Sequence, residues 1–210
     1  MRLIILGTVT IGLVVASAAN GFVPARYRSG AIPAVPAMVV GGGQVLLEVA
    51  VDFDGRVDAV VPLRTTPPFT AAVTGAVRTW HFSPATETEP VASKVLVAAV
   101  FRRPALNGPT LGQQPVEVGA ASDAIPFPMT IREPAYPPMA SGSAVVLVEA
   151  HVDRDGRIAD AVTIRSQPPF DDAVRQALRG WTFRPARLRG TPVDAFAYIV
   201  FGFAVPVISE

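Results

Sequence analysis

The sequence predicts an α+β fold of two tandem units, each a three-stranded sheet in the order strand, strand, helix, strand, with the helix packed on one face. Three observations predict it. The chain repeats itself at an offset of 101 residues: residues 36–85 and 137–186 share 24 identities in 50 ungapped positions. Apolar residues change period inside each copy, alternating along two segments and then recurring at helical spacing. Between the two alternating segments both copies place Asp-x-Asp-Gly, at Asp52–Gly55 and Asp153–Gly156. That is a strong short-range hairpin signal, with glycine taking positive φ.

The elements follow in order. Val45, Leu47, Val49 and Val51 predict a half-buried first strand, matched by Val146, Val148, Ala150 and Val152. After the hairpin, Val57, Ala59, Val61 and Leu63 predict a second strand; Ile158, Asp160, Val162 and Ile164 are its counterpart, with one polar residue on the apolar face. Phe69, Ala72, Val73, Ala76, Val77 and Trp80 then fall on one helical face, as do Phe170, Ala173, Val174, Ala177, Leu178 and Trp181. Thr70 and Asp171 stand where an N-cap is expected. Pro84 and Pro185 forbid further helix. A last strand closes each copy, Val91 to Phe101 and Val193 to Phe203. Its second version is apolar on both faces: Ala195, Ala197, Ile199, Phe201 and Phe203 on one, Phe196, Tyr198 and Val200 on the other. Such a strand is either buried on both faces or awaits a partner.

These elements divide the chain into 1–19, a targeting segment; 32–103, the first copy; 104–130, a linker; and 131–206, the second copy. The linker carries Pro104, Asn107-Gly108-Pro109, Gly112, Pro115, Gly119, Pro126 and Pro128, with Val116, Val118 and Phe127 as pinning points. The N-terminal segment has Met1-Arg2, an uncharged run from Leu3 to Ala16 and the small-x-small Ala16-Ser17-Ala18. That pattern predicts a secretory signal peptide. The alternative is an inner-membrane anchor over residues 3–19, at the lower length limit for a span. Either way residues 20–210 are expected outside the cytoplasm, in the periplasm.

Composition excludes several function classes. Cysteine is absent, which removes disulfides, thiolate catalysis and cysteine metal sites. A net charge of +1 offers no field for nucleic acid. No catalytic constellation, cofactor motif or metal-ligand set emerges, so an enzyme is not expected. Asp153-x-Asp155-Gly156 lacks the Gly and Glu spacing of a calcium loop. Asp171-Asp172 has Thr70-Ala71 opposite it in the first copy, which favours capping over acid–base work. His81 and His151 have Thr182 and Ala50 as counterparts, and His151 is expected to face outward near Glu149. Trp80 and Trp181 are expected in the core. Arg175, Arg179, Arg184, Arg187 and Arg189 are expected on solvated surfaces and toward the helix C-terminus.

At this point the residues resemble a known family. The second copy carries Tyr136-Pro137-x-x-Ala140, Val152-Asp153-x-Asp155-Gly156, Ser166, Phe170-Asp171-x-Ala173, Trp181-x-Phe183-x-Pro185-Ala186, Gly190-x-Pro192-Val193 and a terminal Phe203. Together they resemble the C-terminal domain of the TonB energy-transducer family. The first copy is a degenerate version, with Val35-Pro36 for Tyr-Pro and Glu89-Pro90-Val91 for Gly-x-Pro-Val. The resemblance implies a periplasmic domain whose last strand pairs with a segment of an outer-membrane receptor or another envelope protein. It implies Tyr136, Ala195, Phe196, Ala197, Tyr198, Ile199, Val200 and Phe201 as partner-binding residues, with Val95 to Phe101 equivalent in the first copy. Coupling to an inner-membrane proton-driven motor would follow the family pattern. However, no His precedes His81, and only a short lead stands where the family has a long Pro-rich rod. The alternative is a non-energised scaffold or homo-oligomer whose two copies pair their last strands.

Overall fold

A computed structural model describes residues 21–36, 41–103 and 114–205. The described residues form a mixed α/β protein, mostly strands, with two helices. The first half runs β1 (Arg26–Ser29), β2 (Gly43–Val51), β3 (Val57–Thr65), α1 (Phe69–Val77), β4 (His81–Ser83), β5 (Ala85–Thr86), β6 (Pro90–Val91) and β7 (Ser93–Arg102). A connection carries β8 (Val116–Glu117). The second half runs β9 (Phe127–Thr130), β10 (Ala144–Val152), β11 (Ile158–Arg165), α2 (Phe170–Leu178), β12 (Thr182–Arg184), β13 (Ala186–Leu188), β14 (Thr191–Val193) and β15 (Ala195–Phe203).

Local chemistry explains the shared motifs. Asp52 Oδ1 accepts the amides of Asp54 and Arg56 at 2.9 and 2.8 Å, and Asp153 Oδ1 accepts those of Asp155 and Arg157, both at 2.9 Å. The first carboxylate of each motif is thus committed to the turn. Gly55 and Gly156 have φ of +83° and +79°, and a Cβ on either would lie 1.9 Å from the carbonyl oxygen of Phe82 or Phe183. No other residue fits there.

The helices bury the expected stripe, Phe69, Val73 and Val77 in α1 and Phe170, Val174, Ala177 and Leu178 in α2. The expected caps are corrected. Pro68 and Pro169 hold the cap position and offer no side-chain acceptor. Thr70 Oγ1 and Asp171 Oδ1 reach back instead to the amides of Thr66 and Gln167, at 2.9 Å each, and brace the turn before the helix.

The three-stranded sheets expected of the two copies join into one, because their last strands pair as the alternative reading expected. Seven strands form one sheet in the order β11-β10-β15-β7-β2-β3-β8. β7 and β15 run parallel at its centre, from Ala197 opposite Leu96 to Phe203 opposite Arg102. Every other pairing in that sheet is antiparallel. A parallel pairing of equivalent strands requires a pseudo-twofold axis along them, and such an axis exchanges the two faces of the sheet. α1 therefore covers one face and α2 the other. The clusters agree: Phe69, Val73 and Val77 pack with Val97, Ala99 and Phe101, and also with Tyr198 and Val200. Phe170, Val174 and Leu178 pack with Ala197, Ile199, Phe201 and Phe203, and also with Leu96, Ala98 and Val100. Each last strand is apolar on both faces because one face serves its own helix and the other serves the opposite half.

The expected boundaries shift as well. β1 pairs with β4, and β9 pairs with β12 in the matching register. Trp80 Nε1 donates to the Ala31 carbonyl at 2.8 Å, and Trp181 Nε1 donates to that of Arg132 at 3.0 Å. Each half thus begins near residue 26 or 127, inside the segments expected to be lead and linker. The targeting segment of residues 1–19 lies outside the described residues. Among those described, no helix is long and apolar enough to cross a membrane.

Candidate functional site

The residues expected to bind a partner lie on β15, and the fold encloses them. Ala197, Tyr198, Ile199, Val200 and Phe201 have no measurable exposure, Ala195 is buried, and only Phe196 is half-buried. On one side β15 pairs with β10, Ile199 standing opposite Val148; on the other it pairs with β7, Ile199 standing opposite Ala98. The expected free edge on the last strand is therefore corrected, because the first half's own last strand occupies it. Val95 to Phe101 on β7 are enclosed in the same way. Tyr136 lies apart from this strand's edge. Its ring meets Phe170 and Phe203 edge-on at 5.4 and 6.4 Å, and its hydroxyl donates to the Gly142 carbonyl at 2.8 Å. It fastens the Tyr-Pro segment over the α2 layer.

A polar clasp crosses the seam. Tyr198 rests among Tyr27, Trp80 and Phe82, with ring centroids 6.2, 6.0 and 5.4 Å away. Its hydroxyl accepts the Tyr27 amide at 2.9 Å and lies 3.1 Å from the Ala25 carbonyl and 3.2 Å from Glu149 Oε2. Burial holds the phenol far above its ordinary range, and the Glu149 charge adds to the effect. Glu149 also receives Arg26, whose guanidinium sits 5.0 Å over the Phe196 ring. The hydrogen bond from Arg26 to Glu149 and the charge behind it raise the arginine's pKa further.

Glu149 was expected on a solvated face; it is 5 % exposed. Its counterpart Glu48 is 7 % exposed, accepting Lys94 Nζ at 2.6 Å and the Ser122 amide at 2.9 Å. Both glutamates face away from their own helix and are covered by chain from the lead or the linker. Sequence reasoning missed this pair. The available signal was that Glu is identical in the two copies at a position that alternation assigns to water.

Desolvation opposes ionisation of Glu48, but the hydrogen bonds from Lys94 and Ser122 outweigh it and hold the carboxyl below its ordinary 4.5. A depressed folded pKa stabilises the fold above the unfolded value, and that stabilisation is lost as pH falls through the folded value. Urea midpoints should therefore drop as pH falls below 4.5. Glu48→Gln should flatten that part of the profile while lowering the plateau at neutral pH.

The remaining sequence candidates are used locally. Trp80 and Trp181 are buried. His151 lies 3.7 Å from Asp194 and stacks obliquely on Phe196 at 5.4 Å. Arg175 pairs with Asp172 at 2.5 Å, Arg184 with Asp123, and Arg189 with Glu87 at 2.6 Å. Arg187 donates to the Gly190 carbonyl at 2.7 Å. A cleft of about 880 Å³ opens where the two halves meet at the start of β7 and β15, with Phe22, Val51, Val95, Leu188, Val193 and Phe196 among its apolar lining.

The family model described as Gram-negative bacterial TonB protein C-terminal matches residues 132–204. That span runs from just after β9 through β15. No curated protein matches the chain.

Proposed function

We propose, for a chain whose residues 132–204 match the TonB C-terminal family model, a periplasmic envelope protein that acts as a non-energised binding scaffold. The observation that carries this reading is the parallel pairing of β15 with β7. In strand addition an extended segment supplies backbone hydrogen bonds to an open sheet edge. The edge that the family resemblance assigns to a receptor is filled here by the chain's own repeat. Releasing it would separate a pair of strands whose side chains are buried on both faces, at a cost comparable to a large share of a domain's stability. Force transmission through a receptor held on β15 is accordingly disfavoured. A second tandem domain in the first half, an envelope partner and a non-catalytic role complete the proposal. Phe196, half-buried at the start of β15, reports on it. A photo-reactive phenylalanine at Phe196 should cross-link only within the chain when irradiated in intact envelopes. The pattern should not change when an uncoupler collapses the proton gradient. An adduct between that position and an outer-membrane receptor, lost with the uncoupler, would overturn the reading.

A further inference from the structure

The strands β3 and β11 are equivalent in the repeat and opposite in treatment. β3 is covered. β8 pairs antiparallel with it, Glu117 opposite Arg64 and Val116 opposite Thr65, and the Val118 amide donates to the Leu63 carbonyl at 2.9 Å. Glu117 and Arg64 form an ion pair at 2.5 Å. Leu63 is 1 % exposed and packs in one cluster with Ile125. Pro62 also blunts that edge, since it has no amide to donate.

β11 has none of these devices. It pairs with β10 on one side and with no strand on the other among the described residues. Thr163 stands where β3 has Pro62, so the edge keeps its amide. Ile164 stands where β3 has the buried Leu63 and is 36 % exposed, while Val162 is 49 % exposed, as is its counterpart Val61. Arg165 stands where Arg64 meets Glu117, and no carboxylate pairs with it among the described residues. As in β2–β3, where Val61 stands opposite Glu48, a bulge between His151 and Val152 shifts the register, so that Val162 shares a face with Glu149 rather than with the α2 layer. Two hollows flank this edge. One of about 320 Å³ lies between Val162, Ile164 and the arm Arg26–Arg28; the other, about 520 Å³, lies between Arg165 and Ile32–Val35.

We propose that β11 is the protein's binding edge, and that its ligand is an extended segment of a partner protein carrying a carboxylate flanked by valine-like residues. The chain contains the template for this interaction, since Val116-Glu117-Val118 makes it on β3. An incoming strand would place its acid on Arg165, its backbone on the β11 amides and its alternate apolar side chains over Val162 and Ile164. The inference rests on the proposed scaffold reading and supplies its binding surface.

The probe is a synthetic peptide of residues 114–120, Gln-Pro-Val-Glu-Val-Gly-Ala, titrated into the full chain and followed by calorimetry and backbone NMR. Saturable binding is expected, with shifts centred on β11. Arg165→Glu should weaken it about tenfold or more, and the peptide bearing Arg for Glu117 should restore affinity to that variant. Thr163→Pro should weaken it similarly without loss of folding, since Pro62 stands at the equivalent position. No saturable binding up to about 1 mM peptide overturns the proposal, as does binding indifferent to both variants. A concentration-dependent dimer abolished by Thr163→Pro overturns it too, by assigning the edge to a second copy. None of these failures touches the β7–β15 seam, which amide exchange tests separately.

Discussion

Ile199→Pro is expected to unfold the protein rather than merely silence one strand. Ile199 is fully buried in the middle of β15, with Val148 on one side and Ala98 on the other. Proline there removes a ladder amide from a central strand and forces its ring against both neighbours. It also discards the packing of Ile199 against Phe170, Val174 and Ala98 in the α2 layer. Loss of a buried isoleucine alone costs about 2–5 kcal/mol, and the backbone defect adds to it. A domain's whole stability is about 5–15 kcal/mol. The variant should therefore show no cooperative thermal transition. Thr163→Pro is the matched control, because it makes the same chemical change on an outer strand. A folded Ile199→Pro protein that has lost only partner capture would contradict the enclosure of β15.

The second large effect is expected at Gly202. A Cβ there would lie 2.3 Å from Cδ1 and 2.7 Å from Cε1 of the Phe101 ring. Phe101 cannot withdraw, because it stacks on Phe69 with centroids 4.4 Å apart, and both rings are buried. Gly43 closes the other side, where a Cβ would meet the Phe69 ring at 2.4 Å. The absence of side chains at Gly202 and Gly43 is thus what allows the two rings to stack beneath the seam. Gly202→Val should lower stability by about 3 kcal/mol, the upper end of the overpacking range. Adding Phe101→Leu should restore some of that loss, and equilibrium unfolding of the two singles and the double would measure the coupling. Additive effects would mean that β7 and β15 do not touch at this point.

Much of the local structure was legible in the sequence. Alternation, the Asp-Gly turns and the helical stripe depend on period and turn chemistry, and these act over a few residues. The sequence left the global arrangement open between two alternatives for a definite reason. A strand apolar on both faces satisfies a receptor segment and a sister strand equally well, and alternation carries no information about which partner arrives. The apolar residues Leu96, Ala98 and Val100 on the second face of β7 were the best available hint. If only one copy gripped a partner, the other would have no reason to stay apolar on both faces. β1 was missed because Arg26-Tyr27-Arg28-Ser29 reads as polar lead, and β9 because Pro128 interrupts any strand pattern. The fold needs them to cover Tyr198 and to hold the indole nitrogens through Ala31 and Arg132. The bulges in β10–β11 and β2–β3 were equally hidden, and they turn Val162 and Val61 from expected core to exposed positions, while the lack of a covering strand leaves Ile164 exposed where Leu63 is buried.

The most direct test of the central claim is residue-resolved amide exchange on the intact chain. If β7 and β15 seal each other, the amides of Leu96–Arg102 and Ala197–Phe203 should exchange only through global unfolding. β11, open on one side, should contain amides that exchange orders of magnitude faster under the same conditions. Exchange along β15 as fast as the open amides of β11 would mean that the two halves separate in solution, and would contradict the account.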